Sequence, residues 1–230
     1  MHWFFDPAFS EKARSIANSE VTHFKSLRIR SGEQVTVTNG IGDGFVCKVV
    51  DPGSGAIEVL SKFQQKQNPL NVHLVQALAK GDRDEQAVQA CVELGVTSIT
   101  PWQSELAVSN WEGKESKGRA RWQEIAISAM KQSQQAFLPH VNEVQVTSEL
   151  RPIGLGIVLD PRANKVITDL TDDVREVTIV VGPEGGITTA ELVVLQQHGF
   201  ETFRLGQSVL RTSTAGPAAL ASILTTLRSW

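Results

Sequence analysis

The sequence predicts an α/β protein in which a parallel sheet, covered by helices on both faces, follows a small β-rich domain. Two observations support this prediction. From residue 72 onward, short apolar β-branched runs alternate with amphipathic helical patterns, as in proteins whose parallel strands are joined by helices. Before residue 68, short alternating segments are separated by turn signals, which is typical of a compact barrel. We therefore expect two domains, residues 1–68 and residues 72–230.

The composition is that of a globular protein and excludes several other classes. Of the 230 residues, 41% are hydrophobic and 20% are charged, and no apolar run approaches the roughly eighteen residues that a membrane helix needs. Asp6 and Pro7 stand where a signal peptide would have its apolar centre. Cys47 and Cys91 lack the spacing of a disulfide framework or a metal motif, and the five histidines are scattered. We expect a cytoplasmic protein without a metal or a membrane partner.

The first domain combines one helix with three strands. The run QVTVT alternates apolar and polar residues, NGIGDG is a hairpin turn, and DPGSG turns the chain again before a third strand. The helix is expected to put Lys25 and Arg28 one turn apart. The predicted segments are a helix at 20–27 and strands at 34–38, 45–50 and 56–63.

The basic residues of this domain are concentrated at Lys25, Arg28 and Arg30. A net charge of −3 does not indicate that the whole chain binds nucleic acid, but a protein that docks on folded RNA needs only a local patch. From the residues alone, a solvated helix face is the simpler interpretation of this cluster.

A polar stretch at 64–71, which contains Pro69, marks the boundary to the second domain. Beyond it, strands and helices alternate, and Gly95 is a typical helix stop. Lys80 and Arg83 lie at the mouth of the first strand–helix loop, where they would either contact phosphate or remain solvated. The predicted strands are 72–78, 96–100, 155–159, 177–181 and 202–205, and the predicted helices are 82–94, 114–135 and a last one from 215.

Two loops near the end of the chain carry the strongest signal of a binding site. VVGPEGGITT, at 180–189, and LGQSVLRTSTA, at 205–215, each follow a strand and precede a helix. The glycines permit φ > 0 and close approach of the backbone to a ligand, and the Thr-Ser-Thr at 212–214 offers good N-cap residues. Loops at the carboxyl ends of neighbouring parallel strands form a ligand crevice, to which strand 155–159 should add a third loop.

The two loop motifs, VGPEGGIT followed by LGxxxLRTxTA, resemble the paired C-terminal motifs of the SPOUT methyltransferases, and specifically of the RsmE family. The resemblance spans nearly the whole chain, because the Ser-Leu-Arg-Ile run at 26–29 and the Asn-Gly-x-Gly turn are similar to the PUA-like domain of that family. It implies methylation of the N3 atom of a uridine in small-subunit (16S) ribosomal RNA. It also implies a SPOUT fold with a C-terminal trefoil knot, a PUA-like β-barrel domain that holds RNA, and a homodimer.

The resemblance further implies that S-adenosylmethionine binds between the loops. Backbone groups of the loops would bond the adenine edge, and apolar side chains would form the walls of the site. The implied cofactor-binding residues are Leu159, Gly182, Pro183, Gly186, Ile187, Leu205, Gly206, Val209, Leu210 and Thr214.

Catalysis at N3 requires the N3 proton to leave, and therefore needs a base or a cation that stabilises the developing anion. Arg211 is the candidate cation, with phosphate binding or loop bracing as the alternative. Glu184 would either accept the proton or cap amides of its own loop, and the second role is favoured. An unpaired or flipped uridine is implied, because N3 lies inside a Watson–Crick pair. The residues implied in RNA binding are Lys25, Arg28, Arg30, Lys80 and Arg83.

The chain departs from the usual family pattern at three positions. Leu106 stands where members usually have arginine, Gln135 stands near a usual basic residue, and Ser213 stands where glutamate is usual. These differences are the best support for one alternative, a non-catalytic RNA-binding assembly factor. A second alternative is a SPOUT enzyme acting on ribose 2′-hydroxyls or another base, against which the barrel-like first domain and the LRTxTA motif argue. The substrate would be either ribosomal RNA or the assembled small subunit.

Overall fold

The computed structural model describes residues 1–171 and 173–230, whose contacts divide into two compact units. The first unit comprises Met1–Gln67 and Ile127–Leu138, and the second comprises Asn68–Ala126 and Pro139–Trp230. The predicted domains, 1–68 and 72–230, remain a proposal. Residues 127–138 come later in the sequence but make their contacts with the first unit. No helix within the described residues is long and apolar enough to cross a membrane.

The first unit is built on a mixed four-stranded sheet in the order β1-β2-β3-β4. Strand β1 runs parallel to β2, and the other neighbours are antiparallel. The hairpin between β2 and β3 is confirmed, since Asn39 Oδ1 accepts hydrogen bonds from the backbone of Ile41 and Asp43. The elements are β1 (His2–Phe5), α1 (Asn18–Ser26), β2 (Gln34–Thr38), β3 (Asp43–Asp51) and β4 (Ala56–Gln64).

The end of α1 corrects one expectation. The helix stops at Ser26, and Arg28 takes a left-handed conformation with φ of 55°. The backbone N–H of Ile29 then donates to the carbonyl of Phe24 over 3.0 Å, which is the six-to-one bond of a Schellman turn. Both of these side chains are buried, so their burial stabilises the turn. Arg28 therefore lies beyond the helix and does not share a helical face with Lys25.

The segment at 127–138 is held to the first unit by polar contacts that its sequence does not predict. The Nζ atom of Lys131 lies 2.9 Å from Glu20 Oε1. The backbone carbonyl of Ala136 accepts a 3.2 Å hydrogen bond from Thr38 Oγ1, and its N–H donates to Gln65 Oε1. These contacts connect residues separated by 71 to 111 positions, which no local pattern can predict.

The second unit contains the parallel sheet that the alternating pattern predicted, flanked by helices. Its order is β10-β12-β9-β11-β5-β6-β7, with β8 beside β6, and every pairing is parallel. The strands are β5 (Asn71–Ala77), β6 (Ser98–Gln103), β7 (His140–Val141), β8 (Gln145–Val146), β9 (Leu155–Leu159), β10 (Lys165–Val166), β11 (Glu176–Val181) and β12 (Phe200–Arg204).

The helices lie close to their predicted positions, with one correction at the last of them. They are α2 (Arg83–Glu93), α3 (Glu115–Gln132), α4 (Thr189–Gln197) and α5 (Thr212–Thr226), with a short 3-10 helix at Ile167–Asp169. Arg211 is the N-cap residue of α5, without a side-chain capping bond. The expected capping residues Thr212, Ser213 and Thr214 instead form its first turn, because the Thr212 hydroxyl is bonded to the Gly182 carbonyl.

A buried carboxylate holds the start of α4 against two neighbouring segments. Thr188 and Glu191 form a capping box, in which the Thr188 hydroxyl accepts from the backbone of Glu191. Glu191 is 5% exposed and also accepts hydrogen bonds from the backbone N–H of Glu105 and from the Thr147 hydroxyl, each over 2.9 Å. Several hydrogen bonds therefore fix the position at which the glycine-rich loop ends and α4 begins.

Candidate active site

The second unit carries a cleft of about 560 Å³ beside the carboxyl ends of β9 and β11 and the N-terminus of α5. Strand β9 lies between β11 and β12 in the sheet, so the loops that leave these strands meet at one edge. The cleft brings together ten of the residues singled out in the sequence. They are Arg83, Leu159, Gly182, Pro183, Glu184, Gly186, Ile187, Val209, Leu210 and Arg211.

The glycines of the first loop serve two different purposes. Gly186 has φ of 79° and open space where a Cβ atom would lie, so the backbone is left-handed there, as the sequence predicted. Gly182 and Gly185 are required for packing instead. A Cβ atom on Gly182 would lie 2.7 Å from Ile187 Cγ1, and one on Gly185 would lie 2.9 Å from Leu106 Cβ.

A relay of hydrogen bonds connects three segments behind the cleft. Gln76 Nε2 donates to Thr212 Oγ1 over 2.8 Å, and Thr212 Oγ1 donates to the Gly182 carbonyl over 2.9 Å. Gln76 and Thr212 are both buried. The relay joins the end of β5 and the start of α5 to the glycine-rich loop. Sequence reasoning missed Gln76, although a polar residue at the end of an apolar strand was the signal that pointed to it.

The carboxylate of Glu184 accepts hydrogen bonds from the loop between β5 and α2 and from the start of α2. Its Oε1 atom accepts a 3.1 Å hydrogen bond from the backbone N–H of Lys80 and a 3.0 Å hydrogen bond from Arg83 Nη1. Burial alone would raise the pKa of Glu184, but hydrogen bonds from its own backbone, from Lys80 and from Arg83 outweigh burial and lower it. A carboxylate with a lowered pKa is a weak base, so this geometry favours loop bracing over proton transfer.

The side chain of Arg211, in contrast to that of Glu184, is open to a ligand. Its side chain is exposed at the cleft, and within the described part of the chain it makes no hydrogen bond or ion pair. Its backbone carbonyl accepts hydrogen bonds from Thr214 and Ala215 in the first turn of α5, so the residue's backbone is held while its guanidinium is free. Arg211 is thus available to a ligand.

The third loop, which follows β9, was expected at this edge and also lines the cleft. Asp160 is 7% exposed and receives two hydrogen bonds from the guanidinium of Arg162, at 2.9 and 2.8 Å. These bonds hold the pKa of Asp160 below its ordinary value, although burial opposes them. The paired guanidinium is fixed at the rim of the cleft.

Several other predicted site residues lie outside this cleft. Leu205, Gly206 and Thr214 are close to it in sequence but do not line it, and their cofactor contacts stay predictions. Lys80 lines a separate recess of about 370 Å³ beside Trp111. The basic residues Lys25, Arg28 and Arg30 are exposed in the first unit. Among residues 1–171 and 173–230, no group of three or more His, Cys, Asp or Glu side chains is arranged to hold a metal ion.

Comparison with known proteins identifies the class to which this fold and cleft belong. A family model described as an RNA methyltransferase domain matches residues 66–224, and one described as an RNA methyltransferase PUA domain matches residues 16–60. Residues 66–224, which include the cleft, therefore match an RNA methyltransferase domain, as the resemblance of the paired loop motifs implied.

Relatives over the whole chain narrow the identification. Ribosomal RNA small subunit methyltransferase E of Mycobacterium bovis is 35% identical over 215 residues, which are 88% of this chain and 82% of the relative. The Aquifex aeolicus protein of the same name is 30% identical over 97% of this chain and 99% of its own. A crystal structure of the Neisseria gonorrhoeae protein of that name, bound to S-adenosyl methionine, matches with a TM-score of 0.89 and 30% identity over 98% of this chain and 97% of the other. The chain belongs to the ribosomal RNA small subunit methyltransferase E family.

The engagement of Glu184 predicts a specific pH dependence of stability. Because its pKa is lowered in the folded state, its stabilising contribution is complete above the ordinary carboxyl pKa of about 4.3 and is lost as the pH falls through the lowered value. We expect Glu184→Gln to reduce the free energy of unfolding at neutral pH and to reduce it less in acid. Chemical denaturation of both proteins from about pH 7 to about pH 3 measures the difference. A difference that is constant over this range would contradict the assignment.

Proposed function

We propose that this protein transfers a methyl group from S-adenosylmethionine to the N3 atom of a uridine in 16S ribosomal RNA. The observation that carries the proposal is the cleft formed by the VGPEGGIT and LRTSTA loops in a chain of this family. The Neisseria gonorrhoeae relative, at 30% identity, is bound to S-adenosyl methionine in its crystal structure, and the relatives are named as small-subunit ribosomal RNA methyltransferases.

The cleft has the properties that a bound cofactor of this kind requires. Its volume of about 560 Å³ lies in the ordinary range for small-ligand sites, and backbone groups alternate with apolar side chains along its wall. Val209 is 78% exposed, and a ligand that covers it would remove this apolar surface from water. The open space at Gly186 lets the backbone approach the ligand closely. When bound, the cofactor supplies an electrophilic methyl group.

The residues of this chain would then act on the uracil. N3 carries a proton, and loss of that proton places negative charge on the ring and its carbonyl oxygens. The guanidinium of Arg211, which has no partner within the described chain, would stabilise this charge by donating to a uracil carbonyl oxygen. The pKa of N3 would fall accordingly. Glu184 braces the loop in this proposal, because its carboxylate is already bonded to Lys80 and Arg83.

RNA binding in this proposal involves both units. The cations of the first unit, Lys25, Arg28 and Arg30, are exposed, as contacts to RNA phosphates require. The first unit also contains the residues matched by the PUA model. Lys80 and Arg83 would contact phosphates beside the cleft. Arg83 already pairs with Glu184, so this contact would be shared with the carboxylate.

The proposal includes the domains, the knot and the location that the family resemblance implies. Residues 1–68 would form the RNA-holding PUA-like barrel, and residues 72–230 would form the SPOUT domain in the cytoplasm. The strand order supports a C-terminal knot, because the chain leaves β12 on the far side of β9 and then returns through α5 to Gln76 at the end of β5.

The two alternative functions have weaker support. A SPOUT enzyme with another target would use the same cofactor cleft. However, the relatives that match most of this chain are named ribosomal RNA small subunit methyltransferase E. A non-catalytic assembly factor would explain the changes at Leu106, Gln135 and Ser213. None of these three lines the cleft among the residues that the structure describes, so they leave the cofactor argument intact.

Gly186→Trp should abolish the binding of S-adenosylmethionine, because the indole would occupy the open space beside the cleft. Isothermal titration measures the effect. Gly113→Trp is the matched control, since Gly113 also has positive φ, at 70°, and open space, and it lies outside the cleft. Both substitutions carry a backbone strain of about 1–2 kcal/mol, so only the position differs. Failure of the parent protein to bind the cofactor, with RNA present, would refute the enzyme assignment.

Arg211→Ala should lower the rate of methylation by about 10²- to 10³-fold, because one donor to the developing anion is lost. Binding of S-adenosylmethionine should change little. Mass spectrometry of the methylated nucleoside, with naked 16S RNA and with assembled small subunits as substrates, measures the rate and position of methylation. Arg211→Lys should recover part of the activity. Full activity of the alanine variant would remove Arg211 from the mechanism.

A homodimer is the assembly that we propose, with α5 at its interface. The helix contains the small and apolar run AGPAALASIL, which allows close packing, although part of it already packs on α2. Light scattering at micromolar concentration should give twice the mass of one chain. The mass of a single chain would contradict the proposal.

A further inference from the structure

The first unit contains a recess of about 480 Å³, which is separate from the cleft in the second unit. It lies among the start of β1, the end of α1 and residues 128–134. Its lining includes Trp3, His23, Lys131, Gln132 and Gln134, and the ring of Trp3 also packs edge-on against Phe63 with 6.0 Å between ring centroids. The lining combines an aromatic ring with hydrogen-bonding groups of both kinds.

The charges beside this recess are compensated within the first unit. Glu20 is 4% exposed, and its two carboxylate oxygens lie 2.9 Å from Lys131 Nζ and 2.6 Å from His23 Nδ1. With a proton on Nδ1 held toward Glu20, the Nε2 atom of a neutral His23 is an acceptor, and it has no partner within the described residues. The floor of the recess is therefore polar without a large net charge.

Uncompensated positive charge lies next to the recess in the chain. Ser26 and Leu27 line it, and the residues on either side of them are Lys25 and Arg28, with Arg30 close behind. All three cations are exposed and form no ion pair in the part of the chain that the structure describes. A neutral recess flanked by cations matches a nucleotide, whose base is uncharged and whose phosphates are anionic.

We propose that this recess binds an unpaired nucleotide of the ribosomal RNA substrate, an inference that rests on the proposed function. The base stacks against the indole of Trp3, and its hydrogen-bonding edge meets His23 Nε2 and the amides of Gln132 and Gln134. Lys25, Arg28 and Arg30 contact the adjoining phosphates. A paired base does not enter, because its edge is already occupied. The first unit would thus select single-stranded RNA.

Backbone strain at the recess offers variants that remove a side chain without loss of fold. Gln134 has φ of 59°, a conformation that glycine adopts more easily, so Gln134→Gly removes the amide and relieves the backbone. Arg228→Gly is the matched control, since Arg228 has φ of 50° and lies in the second unit. For Trp3→Leu, the control is Trp230→Leu, because Trp230 is 75% exposed and also lies in the second unit.

The experiment measures fluorescence anisotropy of the full-length protein with a labelled, unstructured RNA oligonucleotide and with a duplex of the same composition. Trp3→Leu should weaken binding of the single strand by about 5- to 150-fold, the range for loss of one base–aromatic stack. Gln134→Gly should weaken it less. Duplex binding by the two recess variants should be unchanged, and both should bind S-adenosylmethionine as the parent does. Trp230→Leu should match the parent, whereas Arg228→Gly, which removes a cation, should weaken single-strand and duplex binding alike.

Three results would overturn the proposal. Unchanged single-strand binding by both Trp3→Leu and Gln134→Gly would show that the recess holds no nucleotide. Equal weakening for duplex and single strand would show that the site does not accept a base. Weakening of single-strand binding by Trp230→Leu to the same extent as by Trp3→Leu would show that the loss does not arise at the recess. Failure of the parent to bind S-adenosylmethionine would refute the proposed function separately, since it does not depend on the recess.

Discussion

The hydrogen bonds from Gln76 to Thr212 and from Thr212 to Gly182 are the interaction on which the candidate active site depends. They are buried, and they join segments separated by 136 and 30 positions in the chain. Loss of the Thr212 hydroxyl would remove the partner of the Gly182 carbonyl and of one N–H of the buried Gln76 amide, whose nitrogen also donates to the Ala77 carbonyl. The relay therefore fixes where α5 starts, and with it the position of Arg211.

Two of the charged residues that line the cleft, Glu184 and Arg211, differ in their contacts. Glu184 is held by a backbone N–H and a guanidinium, so its charge stabilises the junction of two loops. Arg211 has a fixed backbone and a free side chain. A group that must stabilise charge in a transition state is most effective when it is positioned and otherwise unpaired. This difference supports the proposal that the carboxylate braces the loops and that the guanidinium stabilises charge.

Strand periodicity and glycine-rich motifs, which are local signals, predicted the parallel sheet and a crevice of three loops. Ten of the residues singled out, most of them through the family resemblance, line the cleft. Three features were not predicted, and two of them depend on distant residues. Thr212 is in the first turn of α5 because its hydroxyl bonds to Gly182. Arg28 leaves the helix because Phe24 and Ile29 are buried together in a Schellman turn. Lys131 belongs to the first unit because Glu20 binds it across 111 positions.

Two of the three residues that depart from the expected family pattern, Leu106 and Gln135, bear on RNA more than on the cofactor, whereas Ser213 lies in the first turn of α5. Leu106 packs against Gly185 at a distance that would exclude a Cβ atom, so an apolar side chain supports the glycine-rich loop where an arginine is usual. Gln135 lies in the first unit and is partly buried, and its amide donates to Ser133. Loss of cations at these positions weakens sequence-independent attraction to phosphate. A recess that reads an unpaired base would compensate through stacking and hydrogen bonds, which salt screens far less than it screens phosphate contacts.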